Sequence, residues 1–284
     1  MRDSYIFIFL IFIATISYSM IFLFRKSLSA SRYLNLCQRI KTWYLIIGML
    51  YLGSRNKILI VFLFIFISYL AMIEFLELFD LKLDLVKKTS IILVIAIHYF
   101  FLYKNILYAF YFFIPTLIVI IFIFLKKRNE VSLGLISTVY LISYLPYLIN
   151  TKIGITGIIV YIILVELNDI YQYISGTIFG KIKIVPKTSP NKTLEGILGG
   201  IFLLTITIFV LNKSFDYKIN IWLGSVIGIV GFLGDIYISY FKRKNNKKDS
   251  GRILSGHGGI LDRIDSLIFT SPLIMVTIVF FGNQ

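Results

Sequence analysis

Residues 58–73 read ILIVFLFIFISYLAMI, a run in which only Ser68 and Tyr69 carry a polar side-chain atom. A strand of a membrane barrel alternates apolar and polar side chains, and this run does not. It reads instead as part of a membrane-crossing helix. Similar runs recur along nearly all 284 residues, raising the hydrophobic share to 58% and the mean hydropathy to +0.88. A soluble domain holds roughly 45–50% apolar residues. The expected fold class is all-α, a polytopic transmembrane helical bundle of about ten spans.

The spans expected are 4–24, 42–53, 58–73, 89–103, 106–125, 132–149, 154–167, 194–211, 222–241 and 264–282. The first is too long and uninterrupted for a signal peptide and lacks a small-residue cleavage site. The second is short, because the thirteen residues between Lys41 and Arg55 reach only about 20 Å as a helix. Charge arbitrates. Lys and Arg gather in cytoplasmic loops, and ten spans place 22 of the 29 basic residues on one side, with both termini on the other. Without the second span the split falls to 18 against 11. One integral membrane domain over 1–284 is expected, its specific motifs concentrated in 166–284, because no repeat or Pro- or Ser-rich linker divides the chain.

The net charge of +15 is read mainly as positive-inside charge and contact with anionic headgroups. Nucleic acid is not an expected partner, since the basic residues are dispersed among spans without a recognition module. The single Cys37 excludes an intramolecular disulfide framework and a cysteine metal site. His98, inside the fourth span, is read as a packed bundle residue.

Two loops on the basic side differ from the rest in being long, polar and rich in Gly and Pro. The first, 166–196, begins with Glu166 and Asp169, whose i, i+3 spacing puts both carboxylates on one helix face. It continues through PKTSPNKTLEG, offering Lys187, Ser189 and Lys192 around two prolines, with Glu195 in the next helix's first turn, where a carboxylate complements the dipole. The second, 239–265, is preceded by Asp235 inside the ninth span, four residues before Ser239 on the same face. An ionisable residue at membrane depth costs several kcal/mol unless paired, hydrated or metal-bound, so a functional role is the default. Asp262 and Asp265, again i, i+3, supply hard oxygen ligands suited to Mg²⁺. Between them and Asp235 lies the glycine turn Gly256-His257-Gly258-Gly259, able to adopt positive φ and aim N–H groups at a phosphate. Lys242, Arg243, Lys248 and Arg252 add charge enough to hold a polyphosphate.

These residues resemble the C-terminal motif of the bacterial-type CDP-diacylglycerol synthase (phosphatidate cytidylyltransferase) family: S-x-x-K-R, four residues, K-D-x-G, then H-G-G-x-x-D-R-x-D. Ser239, Lys242, Arg243, Lys248, Asp249, Gly251, His257, Gly258, Gly259, Asp262, Arg263 and Asp265 fill every fixed position. SPNKTLEG at 189–196 is similar to the family's S-P-x-K-T-x-E-G, and Asp169 with Tyr173 to its D-x-x-x-Y element. Ser255 stands where the family usually has Pro or Gly, and Gln172 where Ala usually precedes the Tyr. Motif identity covers about 100 residues; the remainder matches only as a hydrophobic multi-span protein.

The resemblance implies a nucleotidyltransferase in which a phosphatidate oxygen attacks the α-phosphorus of CTP, giving CDP-diacylglycerol and pyrophosphate. It implies Asp235, Asp262 and Asp265 as catalytic metal ligands, and Asp249 as a residue positioning a basic side chain or metal-bound water. Lys187, Ser189, Lys192, Lys242, Arg243, Lys248 and Arg263 are the expected phosphate contacts, with His257, Gly258 and Gly259 in the substrate turn. Mg²⁺ is the expected cofactor, with room for a second cation. CTP, phosphatidic acid and the bilayer are the expected partners, the cell membrane the expected location, and the site faces the cytoplasm; nothing in the sequence decides for or against a homodimer. Another CTP-using lipid enzyme, of the CDP-archaeol synthase or polyprenol kinase type, is the near alternative. An ion-coupled transporter is the distant one, since its charges would be spread across the midplane of several spans.

Overall fold

The computed structural model describes residues 30–105, 128–151, 154–215, 219–251 and 258–281, together with isolated positions in 7–25 and 107–118 and at 253. The expected spans at 4–24 and 106–125 lie largely outside the described residues. Among the described residues the structure is helical, apart from one isolated antiparallel bridge between Lys183 and Thr193. The helices are α1 (Ala30–Ser54), α2 (Lys57–Leu78), α3 (Leu85–Lys104), α4 (Arg128–Leu135), α5 (Tyr144–Tyr147), α6 (Gly154–Phe179), α7 (Leu194–Phe215), α8 (Trp222–Lys244) and α9 (Leu261–Phe281).

Six segments among the described residues are long and apolar enough to cross a membrane: Lys57–Leu78, Leu85–Lys104, Asn129–Asn150, Gly154–Phe179, Leu194–Lys213 and Trp222–Lys244. At 22 residues, α2 is about 33 Å long, enough for a hydrocarbon core of about 30 Å. Its outward face carries Phe62 and Phe66, as α7 carries Phe202 and Phe209, all exposed. Such faces belong against lipid tails. The expected spans 42–53 and 264–282 fall in or on α1 and α9, which are helical but stand outside the six.

Helix ends follow local chemistry. The Asn56 side chain accepts from Ile58 N (2.8 Å) to start α2, and Asp84 accepts from Lys87 N (2.9 Å) to start α3. α2 and α8 end on left-handed residues, Asp80 (φ 55) and Asn246 (φ 54). Asp and Asn tolerate that region better than other side chains, and Lys247 N then closes back on Lys242 O at 2.8 Å.

The segment 128–150 is broken: α4 passes into a π-type turn at Ile136–Leu141, then α5 and a 3₁₀ turn at Leu148–Asn150. Pro146 lies inside this run, and hydroxyls take up carbonyls along it: Ser137 to Leu133 O (2.6 Å), Thr138 to Gly134 O (2.7 Å) and Ser143 to Tyr140 O (2.7 Å). Ser and Thr side chains re-satisfy backbone groups freed inside a membrane helix. His98 is fully buried here, its Nε2 2.9 Å from Ser143 Oγ and its ring against Tyr99 and Tyr140.

The closest packing is of α6 with α7 and of α8 with α9, and α7 also lies along α8. Glycines allow the approach: a Cβ on Gly228 would strike Ile201, and one on Gly200 would strike Gln172. Without a hydrophobic driving force between helices in lipid, such close backbone contact is what holds them together. The expected loop 166–196 is corrected by α6, which continues helical to Phe179 and leaves only residues 180–193 between the helices. The sequence NDIYQYISGTIF carries no proline and keeps its apolar face, so polar residues near its start did not end the helix.

Candidate active site

The C-terminal ends of α2, α6 and α8 and the N-terminal ends of α7 and α9 meet at one end of the bundle. Lys247, just past α8, joins the end of α2 through Glu77 O (2.6 Å) and Asp80 Oδ1 (2.7 Å). Arg243 Nε donates to Thr188 O (3.3 Å), bringing the last turn of α8 onto the α6–α7 segment. Lys192 Nζ pairs with Asp235 Oδ2 at 2.7 Å, and Ser266 Oγ of α9 donates to Asp169 Oδ2 of α6 at 2.9 Å.

Two sets of carboxylates result. The first is Glu74 and Asp262. Asp262 Oδ1 pairs with Lys242 Nζ (2.7 Å), and its Oδ2 accepts from Ser250 N and Gly259 N (2.9 Å each). Glu74, only 1% exposed, accepts from Ile260 N (3.0 Å), Leu261 N (2.8 Å) and Ser250 Oγ (3.1 Å). Together they take the N–H groups that open α9, which a helix leaves unsatisfied. Gly258 has φ 82, the positive value expected of the turn, but the Gly259 N–H already points to Asp262.

The second set is Asp169, Asp235 and Asp265. Asp265, 9% exposed, lies within electrostatic reach of Asp235 and Asp169, with Lys242 as a counter-charge. Asp235 Oδ1 accepts from Ser239 Oγ (3.1 Å), confirming their common helix face, and Asp265 Oδ1 accepts from Ser266 N (2.8 Å). Arg263 acts electrostatically on both Glu166 and Asp169. Burial disfavours the Lys192 ammonium, but Asp235 and Asp169 outweigh it and hold the pKa above the ordinary lysine value.

Asp262 and Asp265 were expected to present their carboxylates together. Their partners differ: Lys242 and two loop amides hold Asp262 in the first set, while Asp265 lies within reach of Asp235 and Asp169. The second set gathers three carboxylates, hard oxygen donors of the kind Mg²⁺ takes one or two of, and Asp169 Oδ1 is buried without a hydrogen-bond partner. Among the described residues no group of three or more His, Cys, Asp or Glu is arranged to hold a metal ion; the Lys192 ammonium balances the cluster instead.

Of the other expected residues, Ser189 and Lys192 line a recess of about 430 Å³ with Gln172, Tyr173 and Asn191. Lys187, Lys248 and Asp249 are exposed beside the converging segments, and His257 lies outside the described residues. Glu195 accepts from Lys181 N (2.9 Å) and Ile182 N (3.2 Å), so it fastens the segment entering the recess besides facing its own helix start. Glu74, Lys247 and Ser250 were not picked out from the sequence; the only signal for Glu74 was an acidic residue closing an apolar run.

A model of the cytidylyltransferase family matches residues 37–281. The chain belongs to the cytidylyltransferase family. The match extends the family resemblance well beyond the last hundred residues and includes α2 with Glu74. Curated relatives cover less. The uncharacterized protein YnbB of Escherichia coli is 41% identical over 159 residues, 53% of each chain. The phosphatidate cytidylyltransferases of Staphylococcus haemolyticus and Staphylococcus epidermidis are 39% and 40% identical over 155 residues, 53% of this chain and 60% of each relative. The matched stretch thus spans between half and two thirds of the length of these relatives.

Proposed function

We propose that this protein is an integral membrane phosphatidate cytidylyltransferase whose site faces the cytoplasm. The observation that carries the reading is the meeting of the two motif segments on one carboxylate cluster, through Lys192–Asp235 and Arg243–Thr188. The names of the staphylococcal relatives support the same acceptor. A transporter is disfavoured, because the charges converge at one end of the bundle.

An ionised oxygen of the lipid phosphate monoester forms a bond to the α-phosphorus of CTP as the bond to the β-phosphate oxygen breaks, and pyrophosphate leaves with that electron pair. The acceptor is already ionised near neutrality, so no side-chain nucleophile is needed. The work left to the chain is alignment and charge neutralisation. Lys192, at the recess, and Arg243, beside it, are placed to bind the triphosphate, with Lys187 and Lys248 adding charge from the exposed side. Asp235 and Asp265, with Asp169, would hold Mg²⁺, which neutralises charge on the triphosphate when bound. Asp262 and Lys242 keep the loop in place beside them.

Purified protein in detergent, given labelled CTP, Mg²⁺ and a panel of lipid phosphates, should form CDP-diacylglycerol and pyrophosphate from phosphatidate. Product only with an archaeal or polyprenyl phosphate, or transfer of the γ-phosphate rather than CMP, would overturn the acceptor or the reaction.

A further inference from the structure

We propose that Glu74, at the end of α2, is the positioning residue for the α8–α9 loop, the device by which the N-terminal half of the bundle fixes that loop against the carboxylate cluster. The proposal rests on the reading above for its kinetic consequences, though not for its geometry. Glu74 Oε2 takes both Leu261 N–H (2.8 Å) and the Ser250 hydroxyl (3.1 Å), while Oε1 takes Ile260 N–H (3.0 Å). One carboxylate thus clips the two ends of residues 250–261 together. The fit is close on every side: a Cβ on Gly251 or Gly259 would collide with the Glu74 carboxylate. A second tether lies about one turn on and beyond, where Lys247 Nζ reaches Glu77 O (2.6 Å) and Asp80 Oδ1 (2.7 Å). With Asp262 binding Lys242 and the amides of Ser250 and Gly259, the loop is held from α2, α8 and α9 at once.

A carboxylate is required because all three partners donate to it, and an amide has only one oxygen. In Glu74→Gln the amide NH₂ must face either the Ile260 or the Leu261 N–H, donor against donor, at a buried position.

Two measurements test this in detergent-purified full-length protein. The first is loop exposure, independent of activity: Ile253 is 51% exposed, and an Ile253→Cys reporter in a Cys37→Ser background should react with a thiol reagent several-fold faster once Glu74→Gln is added. The second is kinetic. Glu74→Gln should lower kcat/KM for CTP about ten- to hundred-fold while KM for phosphatidate stays within about twofold. Ser250→Ala, losing one of the three bonds, should show a smaller shift in the same direction, and Glu77→Gln, whose backbone alone is used, should match wild type. Reporter rates and kinetics both unchanged in folded Glu74→Gln would overturn the proposal. So would equal loss toward both substrates with an unchanged reporter, the mark of a merely structural residue. If Glu74→Gln does not fold, Ser250→Ala with the same reporter decides on the same criteria. A wild-type protein inactive toward CTP would refute the functional reading alone, since the reporter still answers for the loop.

Discussion

Glu74 and Asp262 on one side, and Asp169, Asp235 and Asp265 on the other, are the same chemical group in the same end of the bundle, yet their surroundings differ. The first pair accepts from backbone amides, a serine hydroxyl and one lysine. The second set also accepts from Ser239, Ser266 and Lys192, but its three carboxylates face one another and one Asp169 oxygen lacks a donor. A carboxylate that takes up the free amides at a helix start holds structure in place. One crowded by other carboxylates still has binding capacity to give to a cation. Crowding by like charge, more than residue type or spacing, distinguishes the second set from the first.

The sharpest way to break this comparison is to neutralise the two sets separately. Asp235→Asn and Asp265→Asn should each lower CDP-lipid synthesis by about a thousandfold, the scale of losing a preorganised charge at a reacting centre. The unfolding midpoint in detergent should fall less than it does in Asp262→Asn, since the Lys192–Asp235 pair is the more exposed of the two pairs. Near-normal turnover in both at saturating Mg²⁺ would remove the cluster from the chemistry. Asp262→Asn should behave the other way. It removes the carboxylate paired directly with Lys242, only 8% exposed, and breaking a buried pair costs about 3–5 kcal/mol. Thermal unfolding should therefore show the larger change. An Asp262→Asn protein as stable as wild type but inactive would move Asp262 into the second set.

A milder effect is expected where the segments meet. Lys192→Ala and Arg243→Ala should each raise KM for CTP about ten- to hundred-fold, the worth of a charge-assisted contact of about 1.5–3 kcal/mol, with no change in acceptor preference. A switch in the preferred lipid phosphate on Lys192→Ala would make the recess a headgroup site. Smallest in effect on activity is a test of sidedness. In a Cys37→Ser background, a cysteine at Lys104 should label from outside intact cells with an impermeant thiol reagent, and one at Lys248 should not. The reverse pattern would put the site on the wrong side for CTP.

The helical bundle was legible because apolar runs in a membrane chain leave little else to form, and Asp235 because a charge inside such a run is conspicuous. The continuation of α6 to Phe179 was not, since NDIYQY resembles a polar loop until its buried face, Asn168, Gln172 and Ser175, is seen against α7. Nor was Glu74 legible. It stands beside Glu77 and Asp80, where acids commonly close a membrane helix, and its partner Leu261 is 187 residues away. The spacing of Asp262 and Asp265 carries no information about the lysine and amides that hold Asp262 apart in the first set.

The glycines at 251 and 259 lie so near the Glu74 carboxylate that either side would lose space to any added carbon. In evolutionary terms the three positions form one unit. A larger residue at either glycine demands a shorter one at 74, and a shorter one at 74 gives up amides at the head of α9. Related chains should therefore vary at all three sites together or at none, and the boundary between the anchoring half of the bundle and its motif-bearing half should be inherited as a single lock.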